Sequence, residues 1–170
     1  MTFYFLWLLY MQKGKSIQQV DKETVIKLYD EFYLDVVRLA FSYVKSQEDS
    51  MDIAQNVFLK LISSNAVLFP GSEKSWLLTV TANECRNHLK KYRPAEELSE
   101  SIPADEKDRE VWYLLDTLSP DNRAVIQLYY YDGYSVEEIA KILHISRSGV
   151  SMRLSRARKK LKKVLKDDYE

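Results

Sequence analysis

Apolar residues recur at steps of three and four along most of this chain. Val25, Leu28, Tyr29, Phe32, Val36, Leu39, Ala40 and Tyr43 form one such stripe, which predicts an amphipathic helix from near Asp21. After the polar SQED stretch, Ile53, Ala54, Val57, Phe58, Leu61 and Ile62 predict a second. A loop over residues 63–75 follows, marked by the turn dipeptide Pro70-Gly71. A third helix runs from about Glu73 or Trp76 to Tyr92 and is stopped by Pro94. Trp76 reads as a core anchor at its start, because large aromatics mostly bury their area. Residues 94–109, PAEELSESIPADEKDR, are acidic, hold two prolines and show no apolar period, the composition of a flexible linker. Beyond it, Val111, Leu114, Leu115 and Leu118 form a stripe, and Ser119-Pro120 has the order of an N-cap and first helical residue. Val125, Leu128 and Tyr129 continue until Asp132-Gly133 breaks the pattern. Ser135 and Glu138 then have capping-box spacing. No internal repeat and no strand period is seen. The expected fold is all-α: an arm (1–20), a first helical domain (21–93), the linker (94–109) and a second helical domain (110–170).

Composition narrows the function classes. The 170 residues include only 4 Gly and 4 Pro, which favours long helices. Twenty-five basic and 25 acidic residues cancel to a net charge of zero, but the basic ones gather towards the C-terminus and the acidic ones in the linker and first helices. Such poles suit a protein that meets both DNA and a large partner. A single cysteine, Cys85, excludes an internal disulfide and points to a reducing, cytoplasmic setting. With only two histidines beside it, the four ligands of a structural zinc site are not available, although Cys85 and His88 share a helix face. No cofactor is implied. The apolar start MTFYFLWLLYM is too short to span a membrane and lacks the flanks of a signal peptide. Met11 opens a more ordinary polar start. Residues 1–10 therefore read as an apolar arm, a weak anchor or an upstream extension of the frame.

Residues 135–160, SVEEIAKILHISRSGVSMRLSRARKK, carry the most specific pattern. Two short helices meet at a tight turn. Ile139, Leu143, Ile145 and Val150 lock the pair, and Ala140 is small where the helices cross. His144 falls in the turn, where a positive φ is needed; His tolerates this better than most residues. The second helix buries Val150, Leu154, Ala157, Leu161 and Leu165. Its other face shows Arg147, Ser151, Arg153, Arg156, Lys159 and Lys160, a basic surface slim enough for the DNA major groove.

Taken in order, four segments resemble the extracytoplasmic function (ECF) group of bacterial RNA polymerase sigma factors. LYDEFYLDVVRLAFSYV (28–44) resembles the first conserved helix of that family. DSMDIAQNVFLKL (49–61) is similar to the segment that docks on the polymerase β′ clamp. SWLLTVTANECRNHLKK (75–91) resembles the promoter −10 segment. Residues 118–161 resemble the domain that reads the −35 element. The resemblance implies a protein that is not an enzyme. It would bind core RNA polymerase through β′ and β, read promoter DNA at two elements and help melt the duplex. It also implies a monomer when free of polymerase, and an anti-sigma factor as a further partner, able to hold it at the membrane.

Residue by residue, the resemblance puts core docking on Asp52, Gln55 and Asn56, which share one helical surface. Asn56 stands where the family usually carries an acid. Phe58, beside them, continues the apolar stripe and reads as core. Capture of a flipped −10 base falls to the 63–75 loop, including Asn65 and Phe69. Asn83, Arg86, Asn87, Lys90 and Lys91 line the DNA side of the third helix; Lys90, Lys91 and Arg93 suit phosphates. In the −35 helix, Ser151, Met152, Ser155 and Arg156 are placed at bases, with Arg156 suited to bidentate guanine recognition. Arg147, Ser148, Arg153 and Lys159 are placed at phosphates.

A second reading is a stand-alone helix-turn-helix regulator with an N-terminal ligand or partner domain, binding a palindrome as a dimer. It shares the C-terminal motif but does not require the 49–61 and 75–91 segments. The sequence holds no Gly-rich phosphate loop, nucleophile elbow or HExxH.

Overall fold

A computed structural model describes residues 18–19, 21–63, 67–91 and 114–167. The arm before residue 18, Asn65, and the 94–109 linker with the start of the second domain lie outside the described residues, as do Arg93 and Val111. Three helices build the N-terminal lobe: α1 (Lys22–Val44), α2 (Gln47–Ser63) and α3 (Glu73–Lys91). Asp21 caps α1 by accepting the Thr24 N–H at 2.8 Å. That bond also holds its carboxyl below the usual range. Lys45 closes the helix in the left-handed region, φ 60°, with its backbone N–H on the Phe41 carbonyl.

The three helices pack on one another along the stripes seen in the sequence. Val36, Leu39, Ala40, Tyr43, Ile53, Ala54, Val57, Leu61, Leu77, Leu78, Ala82 and Cys85 are all buried. Each fully buried aliphatic side chain of Leu size contributes roughly 1.5–3 kcal/mol. Phe58 is core, packed edge-on against Tyr29. Trp76 is half-buried and packs on the same core. Ile62 departs from expectation: it is 58% exposed, because Leu61 takes the inward position of that turn. One short ladder was not expected. Gln18–Gln19 (β1) pairs antiparallel with Val67–Leu68 (β2), Gln18 opposite Leu68. Two residues per strand are too few to show a period of two.

The C-terminal lobe begins, within the described residues, with helical residues 114–116. It continues through α4 (Pro120–Ile126), a π-helical turn (Gln127–Tyr131), α5 (Val136–Leu143) and α6 (Arg147–Asp167). Pro120 occupies the first helical turn, but the Ser119 hydroxyl makes no capping bond, so the extended backbone and proline alone start α4. The π turn is closed by Asp132 N–H on the Gln127 carbonyl at 3.1 Å, and Gly133 at φ 72° turns the chain. Leu165, expected to be buried, is 42% exposed, since α6 outruns the elements that cover it.

The two lobes touch. α1 packs against α4, and α3 against α5. Arg123 of α4 is buried, and its Nε donates to the Ser42 carbonyl at the end of α1.

Candidate functional site

The second helix-turn pair is built as its sequence predicts. Ser135 and Glu138 form a reciprocal capping box. Ser135 Oγ accepts the Glu138 N–H at 3.3 Å, and the Glu138 carboxylate accepts the Ser135 N–H at 2.9 Å. The Ser135 bonds hold that carboxyl below its usual range. His144 ends α5 with φ 52° and ψ 47°, and the Ile145 N–H returns to the Ala140 carbonyl at 3.0 Å. Ile139, Leu143 and Val150 are buried and Ile145 packs on the same core. Ser146 starts α6 by accepting the Gly149 N–H at 3.0 Å. A Cβ at Gly149 would sit 3.2 Å from that hydroxyl oxygen, so glycine allows the tight cap.

Beyond this cap, α6 divides cleanly. Val150, Leu154 and Ala157 are buried. Arg147, Ser148, Ser151, Met152, Ser155, Arg156 and Lys159 are exposed and share one face. Arg147 also reaches Glu137 of α5 at 3.3 Å. Arg153, placed at phosphate by the sequence reading, departs from that face. Its Nη2 meets Asp121 of α4 at 3.2 Å, and its Nη1 is buried without a hydrogen-bond partner. Position 153 is one helical step off the polar face and turns inward. Arg158 is likewise engaged elsewhere: its Nε donates to Tyr130 Oη at 2.8 Å, and its guanidinium lies 5.7 Å from the Tyr129 and Tyr130 rings. Between Ile139 and Lys166 the sequence holds no acid, so this face carries Arg147, Arg156 and Lys159 with no carboxylate of its own.

On α3, Asn83, Asn87, Lys90 and Lys91 are exposed, and Asn83, Arg86, Asn87 and Lys90 follow the i, i+3, i+4, i+7 spacing of one face. Arg86 is half-buried. It donates to Asn83 Oδ1 at 3.3 Å and to the Leu143 carbonyl at 3.0 Å. The opposite side of α3 carries Cys85, whose thiol is pushed up by burial and is chemically quiet. His88 faces Asp49 at 3.6 Å. Phe69 is half-buried, and its carbonyl accepts the Ser72 hydroxyl at 2.6 Å.

On α2, Asp52, Gln55 and Asn56 are all exposed and adjacent. The structure adds two residues that the sequence reading did not assign there. Leu59, 59% exposed, and Ile62 extend this polar face with an apolar end. The 52-55-56-59 spacing carried the signal for Leu59. For Ile62 it was hidden, because that residue also continued the core stripe. Lys60 ties α2 to α3 through Glu84 at 2.6 Å.

Among the described residues no helix is long and apolar enough to cross a membrane. A helix-turn-helix with a cationic reading face, joined to a separate helical lobe with its own polar and cationic faces, defines a DNA-reading protein that also carries a docking module. Comparison with known proteins is specific on both lobes. Residues 28–94 match Sigma-70 region 2, and residues 108–161 match Sigma-70, region 4. The chain is 32% identical over 161 residues to the RNA polymerase sigma factor SigV of Bacillus subtilis (strain 168), covering 89% of this chain and 97% of that one. It is 29% identical over 163 residues to the ECF RNA polymerase sigma factor SigX of the same organism, covering 84% of each. Among solved structures it is similar to CnrH in complex with the cytosolic domain of CnrY, with a TM-score of 0.67 and 25% identity, covering 87% of this chain and 91% of that one. The fold is also that of RpoE in complex with the anti-sigma factor NepR from Bartonella quintana, with a TM-score of 0.65 and 22% identity, covering 82% of this chain and 95% of that one. The chain belongs to the ECF group of RNA polymerase sigma factors. It serves promoter-specific transcription initiation with RNA polymerase. The region 2 match accounts for the first lobe, which a stand-alone regulator would leave without a role.

Proposed function

We propose that the three exposed faces divide the work of initiation. The α2 face, Asp52, Gln55 and Asn56 with Leu59 and Ile62, docks on the β′ subunit of core polymerase. Its polar groups fix register, and its apolar end supplies area removed from water. The α3 face, Asn83, Arg86, Asn87, Lys90 and Lys91, engages the −10 element. The two lysines hold phosphate, and the amides sit at bases. The α6 face engages the −35 element. Ser151, Met152, Ser155 and Arg156 meet base edges, and Arg147, Ser148 and Lys159 meet the backbone. Arg153 is assigned to the lobe interior and not to DNA. What carries this reading is that α3 and α6 each present an exposed face bearing cations opposite a buried one, on different lobes.

The protein is proposed to act as a recognition subunit and not as an enzyme, leaving nucleotide chemistry to polymerase. It would work in the cytoplasm, as a monomer when free. The linker (94–109) separates the region 2 unit (21–93) from the region 4 unit (110–170). The likeness to a sigma factor solved with its CnrY partner supports an anti-sigma protein as the further partner. Mixing the purified chain with sigma-free core polymerase and a promoter library, then sequencing the transcripts, tests the reading. The expected result is defined starts preceded by two spaced elements, absent without the protein. Tight binding to a duplex site without any core binding would overturn it.

A further inference from the structure

A cleft of about 440 Å³ lies where the end of α1, one side of α3, the start of α4 and the α5–α6 turn come together. The lobes are tied to each other by Lys45 Nζ, which donates to the Asp116 carbonyl at 3.0 Å. The volume falls towards the small end of the roughly 300–1,000 Å³ usual for small-molecule sites. Neither the α2 docking face nor the −35 face of α6 contributes to its lining. Two polar groups of the lining residues are buried without a hydrogen-bond partner among the described residues. One is the hydroxyl of Tyr43, a residue only 2% exposed, and the other is Arg153 Nη1. An unpaired buried group is costly, so each calls for a partner. Burial raises the pKa of the Tyr43 hydroxyl, so it keeps its proton at neutral pH. Both groups are donors, and their fitting partner is an acceptor.

The charges around the cleft are mostly of one sign. Arg86, Lys90 and Arg153 line it against a single carboxylate, Asp121. Arg153 Nη2 already meets that carboxylate at 3.2 Å, so an excess of two positive charges remains. Arg86 and Arg153 both act on the Tyr43 hydroxyl, so the three lie near one another. Arg86 donates to Asn83 Oδ1 and the Leu143 carbonyl, two bonds from a guanidinium with five N–H groups. Leu89, Pro120 and Ile145 add an apolar wall. A phosphomonoester carries about −1.5 to −2 charges at neutral pH and three acceptor oxygens, which matches both the excess and the donors. A carboxylate, or a phosphodiester of the DNA backbone, brings only one charge. We infer that this cleft binds a small phosphomonoester. Its phosphoryl oxygens accept from Tyr43 Oη, Arg153 Nη1 and Arg86, and its organic body lies on the apolar wall. Lys90, at the exposed rim, adds attraction at longer range. The site does not rest on the −10 reading of α3, because Tyr43 and Arg153 lie on no DNA face.

Calorimetric titration of the full chain in phosphate-free buffer tests this with three probes: phenyl phosphate, inorganic phosphate and phenol. Phenyl phosphate should bind saturably. Inorganic phosphate should bind about tenfold more weakly, because it lacks the ring's apolar area, and phenol should not bind measurably. Tyr43→Phe removes one oxygen and keeps the ring that packs in the core. Its ligand-free melting temperature should not fall, since the lost hydroxyl leaves no protein acceptor unpaired. Its affinity for phenyl phosphate should fall about tenfold or more, as expected for a lost hydrogen bond to a charged group. Lys90→Gln, at an exposed position, should weaken binding less and reduce its salt dependence. Equal affinity in wild type and Tyr43→Phe, or no saturation by either phosphate, would overturn the site. Phenol binding as tightly as phenyl phosphate would overturn the phosphoryl assignment, and inorganic phosphate doing so would overturn the place of the organic body. A single-stranded oligonucleotide without terminal phosphates that needs the Tyr43 hydroxyl, when the small probes do not bind, would make the cleft a DNA-backbone site and overturn the small-molecule reading.

Discussion

Arg153 of α6 and Asp121 of α4 face each other at 3.2 Å, an ion pair that joins the two helices. The Arg153 side chain is only 25% exposed, and its stem fills space between α4 and α6, whose packing sets the angle of the reading helix. Arg153→Ala should therefore lower the stability of the second lobe by about 1 kcal/mol, mostly through lost packing, because a partly exposed ion pair contributes little by itself. The salt dependence of DNA binding should not change. A salt slope smaller by about one phosphate contact, with unchanged melting, would return Arg153 to the DNA face.

Arg156, one turn along and fully on the exposed face, should behave in the opposite way. Arg156→Ala should cut −35-dependent transcription about tenfold or more, matching the roughly 1–3 kcal/mol that a bidentate guanine contact discriminates. Core binding and melting temperature should hold. Equal loss of core binding would mean that α6 acts as structure and not as a reader.

The two ends of α5 make two stability predictions of opposite sign. Ser135→Ala removes one half of the capping box and should destabilise the second lobe by about 1 kcal/mol. His144→Gly relieves a side chain held at φ 52° and should stabilise it, by about 1 kcal/mol or less once the looser unfolded chain is counted. Chemical denaturation of the full chain measures both. Two changes of the same sign would refute this account of the two caps.

These local devices were the most legible part of the sequence. Ser135, Glu138 and His144 act through backbone groups within a few residues, so spacing alone declares them. The core stripes of α1, α2 and α3 were legible for the same reason. What sequence spacing could not show is how the lobes meet. Lys45 and Asp116 are 71 residues apart, and nothing local marks either as a partner of the other. The Arg153–Asp121 pair was hidden too, because a basic residue one step off a basic face looks the same in sequence as one on it. Leu59 was passed over although it follows 52, 55 and 56 at helical spacing, because an exposed leucine and a buried one share a letter; for Ile62 only the packing of α2 on α1 and α3 settles the side.

Leu59 and Ile62 yield a prediction of their own. Both are more than half exposed at the end of the α2 face, so they contribute little to the lobe's own core. Leu59→Asp should leave the melting temperature nearly unchanged, since exposed substitutions mostly fall within about 0.5 kcal/mol. It should weaken binding to core polymerase about tenfold or more, because a charge buried in that contact stays unpaired. Full core binding by this variant would move the docking face elsewhere on the lobe.

Asp132 closes the π-helical turn at the seam between the lobes, and it carries the pH dependence that can be signed. Burial pushes its carboxyl above the usual aspartate range, and Asp35 adds to this, while Lys74, Gln127 and Arg38 act against it. A carboxyl with a higher pKa in the folded chain holds its proton more tightly there than when unfolded. The folded state then binds more protons, so this group's contribution to stability falls as pH rises from the ordinary aspartate range through the raised value. At pH 7 the full cost of the buried charge is present. Asp132→Asn mimics the protonated form and should melt higher than wild type at pH 7. The gap should narrow steadily as pH falls through the raised value into the ordinary aspartate range, where wild-type Asp132 regains its proton. Melting curves of the two proteins across that range decide the matter: a gap independent of pH would show that the Asp132 charge is not what costs stability at this turn.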